Sequence, residues 1–139
     1  INIMKVKTIL SSVALSIALT LSFGSLAQQN EPIHSSVDII ALAPMDKQEV
    51  SNFIYANLVY PSQEIGSGIE GMVVVQFIVE KDGSISNLTI EKSLSPLLDQ
   101  EAKRVIALIP GKWIPAKING TNVRSYTSLP VLFSDPERN

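Results

Sequence analysis

"GIEGMVVVQFIVEKDGSIS", residues 68–86, reads as a strand, a turn and the start of a returning strand. From Met72 to Glu80 the side chains alternate across the chain. Val73, Val75, Phe77 and Val79 fall on one face, which is wholly apolar and is expected to meet a core. Met72, Val74, Gln76, Ile78 and Glu80 fall on the other, which is mixed and expected to be half exposed. "KDGS" (Lys81 to Ser84) is a hairpin turn, with Asp82-Gly83 supplying positive φ at low cost. Ile85 to Glu91 returns as the second strand, with Leu88 and Ile90 on one side. A single glycine in such a turn is ordinary turn chemistry and not a phosphate-binding loop.

Helices flank this hairpin. Upstream, "DKQE" places an N-cap acceptor at Asp46 and a glutamate three residues later at Glu49, a capping box. Val50, Phe53, Ile54 and Leu58 follow as a core-facing stripe, which reads Phe53 as core and not as a stacking platform. Tyr60-Pro61 stops the helix, because a residue before proline avoids the helical region. Downstream, Ser95 is an N-cap, Pro96 sits at the first helical position, and Asp99 and Glu101 favour the positive end of the helix dipole. Leu98, Ala102, Val105 and Ile109 form one stripe, widened by Ile106, while Lys103 and Arg104 face outward. Pro110-Gly111 ends that helix.

The remainder reads as strand, turn, strand. Asn119-Gly120 is a second turn signal, and Val123 to Phe133 is a strand. Pro130 lies inside it, so the strand is expected at a sheet edge or to carry a bulge. The order helix, strand, strand, helix, strand implies an α+β fold: two helices packed on one face of a small antiparallel sheet of about three strands.

Composition limits what such a domain does. The chain has 139 residues, 45% of them hydrophobic, enough for one core. Its net charge of −2 argues against a nucleic-acid partner, which calls for a basic face. With no cysteine and one histidine, disulfides and thiolate metal sites are excluded. His34 lies in a polar stretch and reads as a solvated side chain. Catalysis needs a nucleophile with a base, a carboxylate pair or a metal site. Glu80 and Asp82 flank a hairpin turn and Glu91 lies on the returning strand, so they read as solvated charges. No enzyme activity, cofactor or metal is expected. Asn87-Leu88-Thr89 and Asn119-Gly120-Thr121 match glycosylation acceptors, a pattern short enough to arise by chance.

Residues 1–27 read as a signal peptide. Lys5 and Lys7 form a basic head after Met4, Thr8 to Phe23 carries no charge, and Ser25-Leu26-Ala27 is a small-x-small site before Gln28. The alternative is an uncleaved anchor, since an apolar segment of about 20 residues can span a bilayer. Six serine and threonine residues dilute this one. Removal of Lys5 and Lys7 from the 11 basic residues leaves 9 against 13 acidic, a net charge of −4. Residues 28–44 read as a flexible, loop-like segment in which "VDIIALA" (Val37 to Ala43) is apolar enough to pack as a short strand. The domain proper is expected over 45–134, with 135–139 as a tail.

A set of short motifs then carries a resemblance. They are "YP" at Tyr60-Pro61, "GIEG" at Gly68 to Gly71, "VVVQFIVEKDGSISN" at Val73 to Asn87, "SLSPLLDQEAKRVI" at Ser93 to Ile106, and "W-x-P-A" at Trp113 to Ala116. "NG" at Asn119-Gly120 and "LP-x-x-F" at Leu129 to Phe133 complete them. In order and spacing they resemble the TonB C-terminal domain, in the style of its Bacteroidota branch, over about residues 45–133. The resemblance implies a periplasmic interaction module linked to energy-dependent transport. Its partner would be the N-terminal segment of an outer-membrane transporter, the TonB box, paired along the free edge of the final strand. The positions it implies for such a peptide are Asn57, Leu58 and Tyr60 in one stretch, and Arg124, Ser125, Tyr126, Thr127, Ser128 and Leu129 on the strand. An inner-membrane proton-motive complex is a further partner if the N-terminal segment stays as an anchor.

The sequence departs from the family pattern in three places. Its eight prolines are scattered, so no long Pro/Lys/Glu-rich spacer is present. Its apolar N-terminal segment lacks the histidine that couples the family's anchor to its motor. Glu64 stands where the family often has a small residue after Tyr-Pro. The alternative function is a self-associating structural or signalling domain of the periplasm, a homodimer without a direct transport role. N-terminal sequencing of protein from a native-like host is expected to find Gln28 first. A chain that keeps Met4 and stays with the membrane would revive the anchor.

Overall fold

Asp46 opens helix α1 (Lys47–Asn57) in a computed structural model that describes residues 31–138. The Glu49 N–H donates to Asp46 Oδ1 at 2.8 Å, and the Asp46 N–H donates to Glu49 Oε2 at 3.0 Å. This is the reciprocal box that the spacing predicts. Val50 and Ile54 are buried, with Phe53 and Leu58 packed against the same core. The signal-peptide reading of residues 1–27, with its processing site, lies outside the described residues.

Helix α2 (Pro96–Ala107) begins at Ser95, whose Oγ accepts the Leu98 N–H at 3.2 Å. The same hydroxyl donates to Glu64 at 2.6 Å. Glu64 closes a single 3₁₀ turn (Ser62–Glu64). Glu64 thus ties the loop after α1 to the positive end of α2, where a carboxylate is favoured. Leu98, Ala102, Val105 and Ile106 are fully buried.

Five strands follow the described chain: β1 (Gly71–Val79), β2 (Ile85–Lys92), β3 (Ala116–Ile118), β4 (Thr121–Val123) and β5 (Ser125–Phe133). The main sheet has the order β2-β1-β5, antiparallel throughout. Val73, Val75, Phe77 and Val79 are all fully buried and join the buried residues of both helices in one cluster. The helices therefore cover the apolar face that the alternation identifies. β1 meets β5 in unbroken register from Gly71–Phe133 to Val79–Ser125. Of the two possibilities left open for Pro130, edge or bulge, the structure has the edge.

The irregularities lie instead in β2. Its pairing with β1 shifts between Val74 and Val75 and again between Gln76 and Ile78, and at the second of these Asn87 adopts a left-handed φ of 51°. Asn87 and Leu88 together stand against Phe77. Leu88 and Ile90 still pack on the core side.

A second difference concerns the strand read as Val123 to Phe133. It is broken at Arg124. β4 pairs with β3 in a separate hairpin, closed by Asn119 (φ 49°) and Gly120 (φ 77°), the two positive-φ residues of a type I′ turn. Residues 33–44 form no helix but are laid onto the domain by bridges. Ile39 pairs with Lys117 and Leu42 with Ile114, both antiparallel, and His34 pairs with Ser125 in parallel. Beyond β5, Asp135 is fully buried. Its carboxylate accepts the N–H groups of Gly66, Gly68 and Glu137 at 3.1, 2.9 and 3.1 Å. Burial alone would push this carboxyl up. The backbone donors of Glu137, Gly66 and Gly68 and the Arg138 charge outweigh it, and the net shift is downward.

The β1–β2 turn uses positive φ at Gly83 alone, with Gly83 N–H bonded to Glu80 C=O at 3.0 Å and Glu80 N–H to Ser84 C=O at 2.8 Å. It is also packed. The Trp113 N–H donates to the Gly83 carbonyl at 2.9 Å, and the Trp113 ring meets Phe77 edge-on at 5.0 Å. A Cβ on Gly83 would lie 2.3 Å from the Trp113 carbonyl oxygen, whereas one on Gly120 would meet nothing within 4 Å. Gly120→Ala is therefore expected to cost only the left-handed strain, about 1–2 kcal/mol. Gly83→Ala adds a backbone collision and is expected to cost about 3 kcal/mol or more. Urea titration of the two variants checks the difference, and equal losses would mean that the Trp113 contact does not constrain the turn.

Candidate functional site: the outer edge of the last strand

β5 has β1 on one side only. Its other side is defined by two hydrogen bonds. The His34 N–H donates to the Arg124 carbonyl at 2.9 Å, and the Tyr126 N–H donates to the His34 carbonyl at 3.3 Å. Within a strand the N–H and C=O of one residue point to the same side, and the side alternates with each residue. Ser128, Pro130 and Leu132 therefore turn their backbone groups outward with Tyr126. Ser125, Thr127, Leu129, Val131 and Phe133 turn theirs toward β1. Pro130 stands where a missing N–H costs the internal ladder nothing. Among the described residues, no other backbone group pairs with Ser128 to Phe133 on the outer side.

The side chains of β5 divide in the same rhythm. Tyr126, Ser128, Pro130 and Leu132 are exposed on the face away from the helices, opposite Ile78, Gln76, Val74 and Met72 of β1. The Ser128 hydroxyl donates to Glu91 at 2.8 Å. Thr127 and Leu129 are half-buried toward the core. Ser125 is buried, and its Oγ has no hydrogen-bond partner among the described residues.

Arg124, at the entry to the strand, is buried. Its Nε donates to Glu80 Oε2 at 2.6 Å and its Nη2 to Glu80 Oε1 at 3.0 Å, a forked pair. The Ser86 hydroxyl adds a bond to Glu80 at 2.5 Å. Glu80 was expected on the half-exposed face as a solvated turn charge, yet it is only 7% exposed. The Arg124 hydrogen bonds hold its carboxyl below the ordinary glutamate range, helped by Ser86 and by the Arg124 charge, against the opposing effects of burial and Asp82. What the pair does chemically is to fix the backbone of residue 124, whose carbonyl starts the outer edge.

The second stretch, Asn57 to Tyr60, is held by α2. Arg104 grips Glu101 with Nε and Nη2 at 2.7 and 2.6 Å, and its Nη2 also donates to the Asn57 carbonyl at 2.7 Å. Glu101 accepts the Val59 N–H at 2.7 Å. Arg104, read from its spacing as a solvated charge, is half-exposed but bonded. The Asn57 side chain donates to the Phe53 carbonyl at 2.8 Å and the Leu58 N–H to the Ile54 carbonyl at 2.8 Å. Tyr60 donates its hydroxyl to the Ile69 carbonyl at 2.8 Å and meets Phe133 edge-on at 6.3 Å. The structure thus brings Tyr60 to the end of β5, while the hydrogen bonds of Asn57 and Leu58 go to the helices.

Sequence reasoning missed His34 at this site. Its contribution is backbone pairing, which leaves no signature in residue type. Among the described residues, no group of three or more His, Cys, Asp or Glu could hold a metal ion. Nor is any helix among them long and apolar enough to cross a membrane.

A family model described as "Gram-negative bacterial TonB protein C-terminal" matches residues 56–134. Two NMR solution structures of the Helicobacter pylori TonB-CTD, of different lengths, are similar to the chain. Each has 23% identity and a TM-score of 0.46. One match covers 64% of this chain and 92% of that one, the other 66% and 85%. No curated protein matches the sequence.

Arg124→Met leaves a buried carboxylate without its partner and is expected to cost about 3–5 kcal/mol. The double variant Glu80→Leu, Arg124→Met is expected to regain much of that loss, because it removes both charges. Since the folded Glu80 carboxyl titrates below its ordinary range, the stability it contributes is complete above that range and is lost as pH falls through the folded value. Denaturant titrations across the acid range check both points. A double variant no better than the single one would mean that Arg124 contributes by packing alone.

Proposed function

The chain belongs to the family of the Gram-negative bacterial TonB protein C-terminal, and on that premise we propose that it is a periplasmic interaction module. Its β5 edge takes up an extended segment from the N-terminus of an outer-membrane transporter by strand addition, in the service of energy-dependent transport. The observation that carries this reading is the outer side of β5, where Ser128 to Phe133 have no backbone partner among the described residues. Natural proteins cover or shorten such edges, and the stretch from Ser128 to Phe133, left open on that side among the described residues, is suited to pairing.

In this reading the affinity comes from main-chain hydrogen bonds, and alternate side chains add selectivity. Tyr126 and Ser128 present the outward groups. Ser125, Thr127 and Leu129 hold the strand to β1 from within. Arg124 contributes through its carbonyl, and Asn57, Leu58 and Tyr60 form the stretch that meets the far end of the strand through Phe133.

Two proline variants separate the two sides of β5. Ser128→Pro removes an outward N–H and is expected to stay folded but to lose affinity for the peptide. Ser125→Pro removes an N–H that points to β1 and is expected to destabilise the fold. Calorimetric titration with peptides from the N-termini of co-encoded outer-membrane transporters makes the comparison. If no such peptide binds at millimolar concentration, or if Ser128→Pro binds like the parent, strand addition is wrong and pairing between two copies of the chain becomes the better account.

A further inference from the structure

We propose that residues 33–36 are an intramolecular occupant of the β5 edge, which a partner strand must displace before it can pair along the whole of β5. The inference rests on the strand-addition reading above. His34 lies parallel to β5 at Ser125. It takes the outward carbonyl of Arg124 and the outward N–H of Tyr126, the groups with which an added strand would begin. Further along, Pro130 has no N–H to offer. The outward donors of β5 are therefore those of Tyr126, Ser128 and Leu132, and the chain itself already engages the first.

The occupant is held lightly at the edge and firmly behind it. Of its two backbone bonds there, the one from Tyr126 is 3.3 Å, long for an N–H···O bond. Ser35 and Ser36 are exposed. Behind them, the N–H groups of Asp38 and Ile39 donate to the Lys117 carbonyl at 3.0 and 3.1 Å, and Asp38 accepts the Asn119 N–H at 2.7 Å. Residues 33–36 can leave the edge while β3 keeps them beside it, which gives the displaced segment a high local concentration. Meanwhile the Glu80–Arg124 pair keeps the contested carbonyl in place, so displacement moves the occupant and not the strand.

The test uses the full chain with His34→Pro, which has no N–H for the Arg124 carbonyl, and His34→Gly, which keeps the N–H but loosens the extended backbone. In calorimetric titrations with the transporter-derived peptides, His34→Pro is expected to bind about three- to tenfold more tightly than the parent, with His34→Gly between them. Amide hydrogen exchange needs no partner. It is expected to find the Tyr126 amide protected in the parent and faster in His34→Pro, with the Ser128 amide unchanged. Equal affinities in chains that do bind overturn the occupant and leave strand addition standing. Equal protection of Tyr126 in parent and variant overturns the contact itself. Binding by none of the three chains overturns strand addition and the occupant with it.

Discussion

The domain depends on one constraint: β1 is the central strand and is paired on both sides. Its four inward residues, Val73, Val75, Phe77 and Val79, are completely buried, so both helices must lie on the same face of the sheet to cover them. With β2 on one flank and β5 on the other, a three-stranded sheet necessarily ends in two edges. The β2 edge carries a bulge at Asn87, which bends a strand and disrupts its ladder. β5 carries none against β1 and keeps one register over its nine residues. The availability of β5 follows from the way the core is closed.

Around that apolar centre the loops are held by carboxylates. Glu64 reaches the N-cap of α2, Glu101 the chain leaving α1, Glu80 the entry to β5, and Asp135 the glycines before β1. Each accepts at least one hydrogen bond from a group distant in sequence. A buried acceptor left unsatisfied costs more than a satisfied one gains, so these contacts act mainly to exclude other loop arrangements. The chain is short of large side chains, with one tryptophan and four phenylalanines, and this polar tying supplements its core.

The legible features were the local ones. Asp46 with Glu49, Ser95 with Pro96, the alternation from Val73 to Val79 and the two glycine turns each express their structure within a few residues, where spacing determines geometry. The α+β order follows from them. The illegible features join distant residues of ordinary type. Glu80 and Arg124 lie 44 residues apart, and neither differs in kind from a solvated surface charge. Asp135 reads like any residue near a terminus until Gly66 and Gly68 are folded beneath it. The break at Arg124 was hidden because Val123 and Ser125 are both acceptable in a strand. At the candidate edge, spacing left Pro130 at either an edge or a bulge, and only the pairing partner of β5 decides which.

The pairing of β1 with β5 also governs how the domain assembles. Partners in that ladder are separated by 46 residues at one end, from Val79 to Ser125, and by 62 at the other, from Gly71 to Phe133. The β1–β2 hairpin and α2 close over short distances and can form early, whereas the third strand must pay a long loop closure before any bond rewards it. Until residues 125–133 arrive, β1 is itself an edge strand with a row of valines on one face. The unpaired flank of β1 is as long as the β5 edge of the finished domain, nine residues, and more apolar, so the chain's greatest tendency to pair wrongly comes before the sheet is complete.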